Sequence, residues 1–153
     1  MKVVLVLALA ILLALPTFSM AQIVSVSDKG CTLGDCPPLN ATGCTSASFT
    51  VPTTGEYALD AWVVCPDHDC RSCYACTAIY LADGSRVPIA TCGGGCGSAN
   101  CGNTCTVRLA AGQTYIIGVC LEPCPTGAAD CSPCRDCTAN ACVRYPNTIR
   151  PCY

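Results

Sequence analysis

Charge is scarce in this chain. Eight Lys or Arg and ten Asp or Glu make up only 12% of its 153 residues, against about 25% in an average soluble domain. No basic stripe occurs and the formal net charge is −2, so no nucleic-acid partner is expected. Histidine occurs once, as His68 in Cys65-Pro66-Asp67-His68-Asp69-Cys70. With no G-x-S-x-G elbow in the chain, neither a Ser-His-Asp triad nor a Cys–His pair has support, and His68 reads as a solvated loop residue. Asp67 and Asp69, with Asp60, fall short of a calcium-loop pattern. The glycine-rich Cys92-Gly93-Gly94-Gly95-Cys96-Gly97-Ser98 lacks the Lys-Ser/Thr ending and the helix of a phosphate loop. Its glycines are expected to turn the backbone sharply between bridged cysteines. No amphipathic helix pattern is present either. The chain therefore carries no catalytic assignment and no implied cofactor, and an enzyme is the least favoured class.

Long apolar runs are also missing after the first 21 residues. Lys2 precedes thirteen apolar residues, Val3 to Leu15; Pro16 breaks the run and Ser19-Met20-Ala21 is a small-x-small cleavage signal. Thirteen is too few for a membrane span, which needs about 20. Residues 1–21 are expected to be a cleaved signal peptide, residues 22–153 a single secreted, extracellular domain with no membrane span. Asn40-Ala41-Thr42 is a glycosylation sequon with Asn40 as the acceptor.

What the chain does have is cysteine. All eighteen lie between Cys31 and Cys152. Cys31, Cys36 and Cys44 come first. Three tracts follow: Cys65, Cys70, Cys73 and Cys76; Cys92, Cys96, Cys101 and Cys105; then Cys120, Cys124, Cys131, Cys134, Cys137 and Cys142. Cys152 comes last. Their density and even number in an exported chain predict nine bridges with no free thiol, in a pairing that spacing alone does not define. The first and third tracts share C-x-x-C-x-x-C-T-A, at Cys70–Ala78 and Cys131–Ala139, and each follows Val-Cys. This spacing is also the opening of an iron–sulfur motif and resembles half of a zinc site. An oxidising compartment favours bridges, so no metal is assigned.

Between the cysteines, alternation of period two marks short strands. Tyr57, Leu59, Ala61 and Val63 share one face of Glu56 to Val64. Cys105, Val107 and Leu109 do so in Cys105 to Leu109, and Tyr115, Ile117 and Val119 in Gln113 to Cys120. Ile23 to Ser27, Ser48 to Val51, Thr77 to Ala82 and Ser85 to Ala90 complete about seven. The last two flank Asp83-Gly84, which predicts a type I′ hairpin. Seven such strands without a helix predict an all-β fold, an antiparallel β-sandwich with the cysteine tracts as loops. If the strands before the first and third tracts run in the same direction, both tracts meet at one rigid pole.

Phe49-Thr50-Val51-Pro52-Thr53-Thr54-Gly55-Glu56-Tyr57-Ala58-Leu59 and Cys105-Thr106-Val107-Arg108-Leu109-Ala110-Ala111-Gly112-Gln113-Thr114-Tyr115-Ile116-Ile117 resemble strands of secreted jelly-roll and pre-peptidase C-terminal-type β-sandwich modules. Tyr80-Leu81-Ala82-Asp83-Gly84 fits the intervening hairpin. The resemblance spans about 45 residues and does not include the cysteine tracts. It implies a non-catalytic extracellular module for binding or assembly.

Two roles fit these observations. The first is a structural protein: a disulfide-hardened, self-assembling subunit of an extracellular filament, sheath or cell-surface layer. In it Gln22, Ile23, Val24, Ser25, Val26 and Ser27 form an assembly strand that pairs with the next copy, giving a homo-oligomer or polymer. The simpler expectation for the same strand is that it pairs within its own chain. The second is a secreted module that binds a glycan or a cell-surface protein, inhibitors included, with the 92–105 tract as a presented loop. For sugar stacking the aromatic candidates are Trp62, Tyr74, Tyr80 and Tyr145. Trp62 leads because its neighbours on that face of the strand are small or polar, unless a second layer covers it.

Overall fold

With no amphipathic helix to cover them, alternating strands bury one face by closing two sheets on each other, and this chain does so. The computed structural model describes residues 22–34, 43–67, 70–124, 130–145 and 151–153. The export segment, Cys36, Asn40, His68 and Asp69 lie outside the described residues. Eight strands run through the described part: β1 (Gln22–Asp28), β2 (Thr45–Thr50), β3 (Gly55–Val64), β4 (Cys73–Leu81), β5 (Ala90–Gly95), β6 (Gly102–Leu109), β7 (Thr114–Pro123) and β8 (Thr138–Arg144). They form two antiparallel sheets, ordered β1-β8-β3-β6 and β2-β7-β4-β5. Of the consecutive strands, only β4 and β5 pair directly; every other connection crosses between sheets. This is the jelly-roll arrangement, a sandwich of two interlocked Greek keys.

The core lies between the sheets. Tyr57, Leu59, Ala61 and Val63 of β3, with Ala139, Ala141 and Val143 of β8, pack against Ile79 of β4 and Tyr115, Ile117, Val119 and Leu121 of β7. Each large aliphatic or aromatic side chain buried there contributes roughly 1.5–3 kcal/mol. Small residues on β8 let its backbone sit close beneath the larger ones.

Three strand expectations need correction. β8 was not anticipated, because Thr138–Arg144 lies inside a cysteine tract and its inward residues, Ala139 and Ala141, carry little hydrophobic signal. β4 begins at Cys73 and not Thr77, so part of the first tract is strand. The second hairpin strand is Ala90–Gly95 and not Ser85–Ala90. Val87-Pro88 breaks the ladder, since proline has no N–H to donate, and only Gly84 of the turn pair has positive φ, at 88°. Asp83 instead accepts the Ser85 N–H at 2.8 Å, an Asx turn and not type I′. The glycine run also differs from expectation. Gly93 to Gly95 complete β5, and a Cβ on Gly94 would collide with the Ala61 backbone and lie 3.0 Å from the Gly102 Cα. The glycine lets the two sheets approach there. The sharp turn comes just after, with positive φ at Gly95, Cys96 and Gly97.

Most of the described bridges gather at one end of the sandwich. Cys65–Cys137 and Cys73–Cys134 join the two echoing tracts. Cys70–Cys101 and Cys96–Cys124 tie the middle tract to each of them, and Cys92–Cys105 closes it on itself. Cys31–Cys131, Cys44–Cys120 and Cys142–Cys152 complete the described pairs. Cys76 is bonded as well, and no described cysteine is free. The ends of β3 and β7 do lie at the same pole, next to the starts of β4 and β8.

Candidate binding site

Alternation puts Asp60, Trp62 and Val64 on the outer face of β3, away from the core. Register places Trp62 opposite Asn140 of β8 and Gly102 of β6. Ser27 of β1 continues this row and donates from Oγ to Asn140 Oδ1 at 2.7 Å. Gly102 leaves an empty seat beside the indole, and Tyr153 fills it: a Cβ on Gly102 would come within 2.9 Å of the phenol ring. The Trp62 and Tyr153 rings have centroids 6.2 Å apart and planes inclined at 42°. Between them and the stapled pole lies an open groove of about 420 Å³, lined by Trp62, Val64, Asn100, Cys101 and Tyr153, with Cys65 behind. Val64 is 51% exposed and Tyr153 38%, so the apolar surface is accessible.

Each wall is held. Asn100 and Cys101 have positive φ, 58° and 56°, a conformation uncommon away from glycine. The Cys70–Cys101 and Cys96–Cys124 bridges hold the chain in it. Cys65 at the back is bridged to Cys137. Beneath Tyr153, the fully buried Asp60 receives Arg144 Nε at 2.6 Å, Arg144 Nη2 at 3.2 Å, Thr104 Oγ1 at 2.6 Å and the Cys152 N–H at 3.0 Å. A carboxylate buried this deeply needs both its counter-charge and its donors. The network binds strands β3, β6 and β8 to the segment carrying Tyr153.

The described groove lining contains no charged group, no histidine and no free thiol. It offers flat apolar rings, one side-chain amide and a phenol, which suit a neutral ligand with apolar faces and hydroxyl edges. A second hollow, of about 280 Å³ and lined in part by Asp67, Ser72, Arg135 and Asp136, has no aromatic residue among its described lining. The Cys65–Cys137 bridge separates the two, touching one at each end.

Of the aromatic candidates, only Trp62 reaches the groove. Tyr80 is buried. Tyr145 stacks on Tyr57 at 4.7 Å, and Tyr74 lies over Gly93. Asp60 is committed to Arg144, so it does not join Asp67 in a cation site. Sequence reasoning missed Tyr153 and Asn100. The available signal for Tyr153 was its place next to a cysteine, but the pairing that brings it to Trp62 is not readable from spacing. The expected assembly strand, Gln22 to Ser27, lies in β1 and pairs with β8 of its own chain at the edge of its sheet.

No family model matches the chain, and no curated protein matches it. Among solved structures, it is similar to the pre-peptidase C-terminal domain of a collagenase from Bacillus anthracis, at 11% identity and a TM-score of 0.45, covering 80% of this chain and 89% of that one. A carbohydrate-binding module of lichenase 5A from Cellvibrio mixtus, solved with cellotriose, aligns at 14% identity and a TM-score of 0.39, covering 81% and 96%. Eiger TNF from S. frugiperda aligns at 11% and 0.31, covering 87% and 99%. The chain is thus similar to a pre-peptidase C-terminal domain, as the residues of β2–β3 and β6–β7 imply.

Proposed function

We propose that this protein is a secreted, non-enzymatic binding module that recognises a glycan in the Trp62–Tyr153 groove. The observation that carries this reading is the uncharged, aromatic-walled groove on a rigid outer sheet face. The C–H faces of a pyranose ring pack against the electron-rich face of an aromatic ring. Asn100 adds an amide for ring hydroxyls, and a stapled site loses little conformational freedom on binding. Bridges on this scale suit an oxidising, extracellular setting.

Trp62 is the single tryptophan of the chain, so its fluorescence reports on the groove alone. Titration with cello-, xylo- and chito-oligosaccharides is expected to shift that emission saturably. By calorimetry, Trp62→Ala is expected to weaken binding at least about ten-fold, as loss of one aromatic stack does. No binding by the wild-type protein across the panel would refute the glycan reading.

Assembly into a filament, sheath or surface layer is a second reading, favoured by one observation. β1 is an edge strand that precedes the first cysteine, so no bridge lies within it. An edge strand without staples is the element best able to exchange with a neighbouring copy. Deleting residues 22–28 is expected to abolish concentration-dependent polymer in size-exclusion chromatography. Polymer that persists after the deletion would exclude strand exchange.

A further inference from the structure

One wall of the groove is not part of a sheet. Tyr153 belongs to no strand, yet its ring is placed as closely as a strand side chain. Three features place it: the Cys142–Cys152 bridge, the Cys152 N–H donated to Asp60 Oδ2 at 3.0 Å, and the seat over Gly102. We infer that Asp60 and the Cys142–Cys152 disulfide are positioning residues of the groove, and that this disulfide is a redox latch on ligand binding. Closed, it holds Tyr153 on Gly102 beside Trp62. Open, it releases the ring and the groove loses an aromatic wall. The latch rests on the groove being the binding site.

Several observations bear on the opening of this bridge. It lies on the outer face of its sheet and closes a sequence separation of only 10 residues. The pole bridges tie cysteine tracts to one another, whereas this one ties a strand to the segment 151–153. Of its two residues Cys142 is fully buried and Cys152 is partly exposed, so a reductant approaches this bridge from the Cys152 side. Opening the bridge leaves no orphaned charge, because Asp60 keeps Arg144 and Thr104.

The step balances with a dithiol as reductant. Its thiolate attacks Cys152 Sγ, the S–S bond breaks, and Cys142 sulfur leaves and takes up a proton. The reductant's second thiol then displaces Cys152, which leaves as a thiol, and the reductant departs as a cyclic disulfide. Two electrons and two protons have passed to the bridge.

Two variants test the latch by different routes. Cys142→Ser/Cys152→Ser removes the bridge. Gly102→Val fills the seat and displaces Tyr153 with every bridge intact. In both, and in wild-type protein treated briefly with dithiothreitol, acrylamide quenching of Trp62 is expected to rise without ligand. Affinity for the oligosaccharide that wild type binds best is expected to fall about ten-fold. The thermal transition of the cysteine variant, followed by far-ultraviolet circular dichroism, stays cooperative. Peptide mapping of the treated protein is expected to find the Cys142–Cys152 bridge open before the pole bridges. Unchanged quenching and affinity in the cysteine variant would overturn the latch, as would earlier opening of the pole bridges. If wild type binds no oligosaccharide, the glycan reading falls, while the quenching result still decides whether the bridge positions Tyr153.

Discussion

Tyr80 shows how a buried polar atom sets both stability and its pH dependence. Its ring is fully buried on β4 and its hydroxyl has no hydrogen-bond partner among the described residues. Desolvation pushes its pKa from 10.0 up to about 12. Below pH 10 the phenol is neutral in both the folded and unfolded chains and adds no pH dependence. Between about 10 and 12 the unfolded chain loses the proton and the folded one keeps it, so stability falls as pH rises. Tyr80→Phe removes that loss and the unsatisfied hydroxyl together. The variant is expected to be no less stable than wild type at pH 7 and to unfold at higher pH in an alkaline titration followed by circular dichroism. A drop of more than about 1 kcal/mol at pH 7 would mean that the hydroxyl has a partner. At this scale the sequence was partly legible. Trp62 stood out because its neighbours on the outer face of β3 are small or polar. Its companion Tyr153 did not, since no local pattern says which strand the 151–153 segment crosses.

At the scale of elements, legibility followed hydrophobic contrast. β3, β6 and β7 carry large apolar residues at alternate positions, and their inward residues are the ones expected. β8 alternates as regularly, but with Ala139 and Ala141 as its inward signal, and it was hidden among cysteines. β5 carries almost no side-chain signal, because its job is close approach. Gly94 illustrates this: a side chain there would meet the backbones of Ala61 on β3 and Gly102 on β6. Gly94→Val is therefore expected to force the sheets apart and destabilise the protein by about 1–3 kcal/mol, measured by guanidinium unfolding. The same displacement at Gly102 would disturb the floor under Tyr153, so the variant is also expected to bind ligand more weakly. A stable variant with unaltered binding would show that the sheets can separate there at no cost.

The whole molecule is a sandwich locked at one pole. Four bridges, Cys65–Cys137, Cys73–Cys134, Cys70–Cys101 and Cys96–Cys124, connect the same three tracts. For a sequence separation of 72, chain entropy alone assigns a bridge about 4 kcal/mol. The neighbouring bridges already close most of that loop, so removing one costs much less than removing all. Cys65→Ala/Cys137→Ala is expected to lose less than about half of that figure in denaturant unfolding. Full reduction is expected to lower the unfolding midpoint far more. A double variant as unstable as the reduced protein would show that the pole depends on that single bridge. Redundancy of this kind holds Asn100 and Cys101 in left-handed backbone on one side of the groove, while the segment carrying Tyr153 on the other side has one covalent tie.

The sequence by itself determined the all-β class, the two-layer packing and the presence of bridges. Each follows from local chemistry: period-two alternation, absent helical periodicity and cysteine density. The tertiary structure alone decided the pairing of the cysteines, the strand order and the groove. Those depend on which segments lie opposite one another across the sandwich. Trp62, Asn100 and Tyr153 are far apart in the chain and share no motif. They come together in one groove because the β3–β6 register leaves a glycine beside the indole, and the Cys142–Cys152 bridge delivers a ring to fill the space.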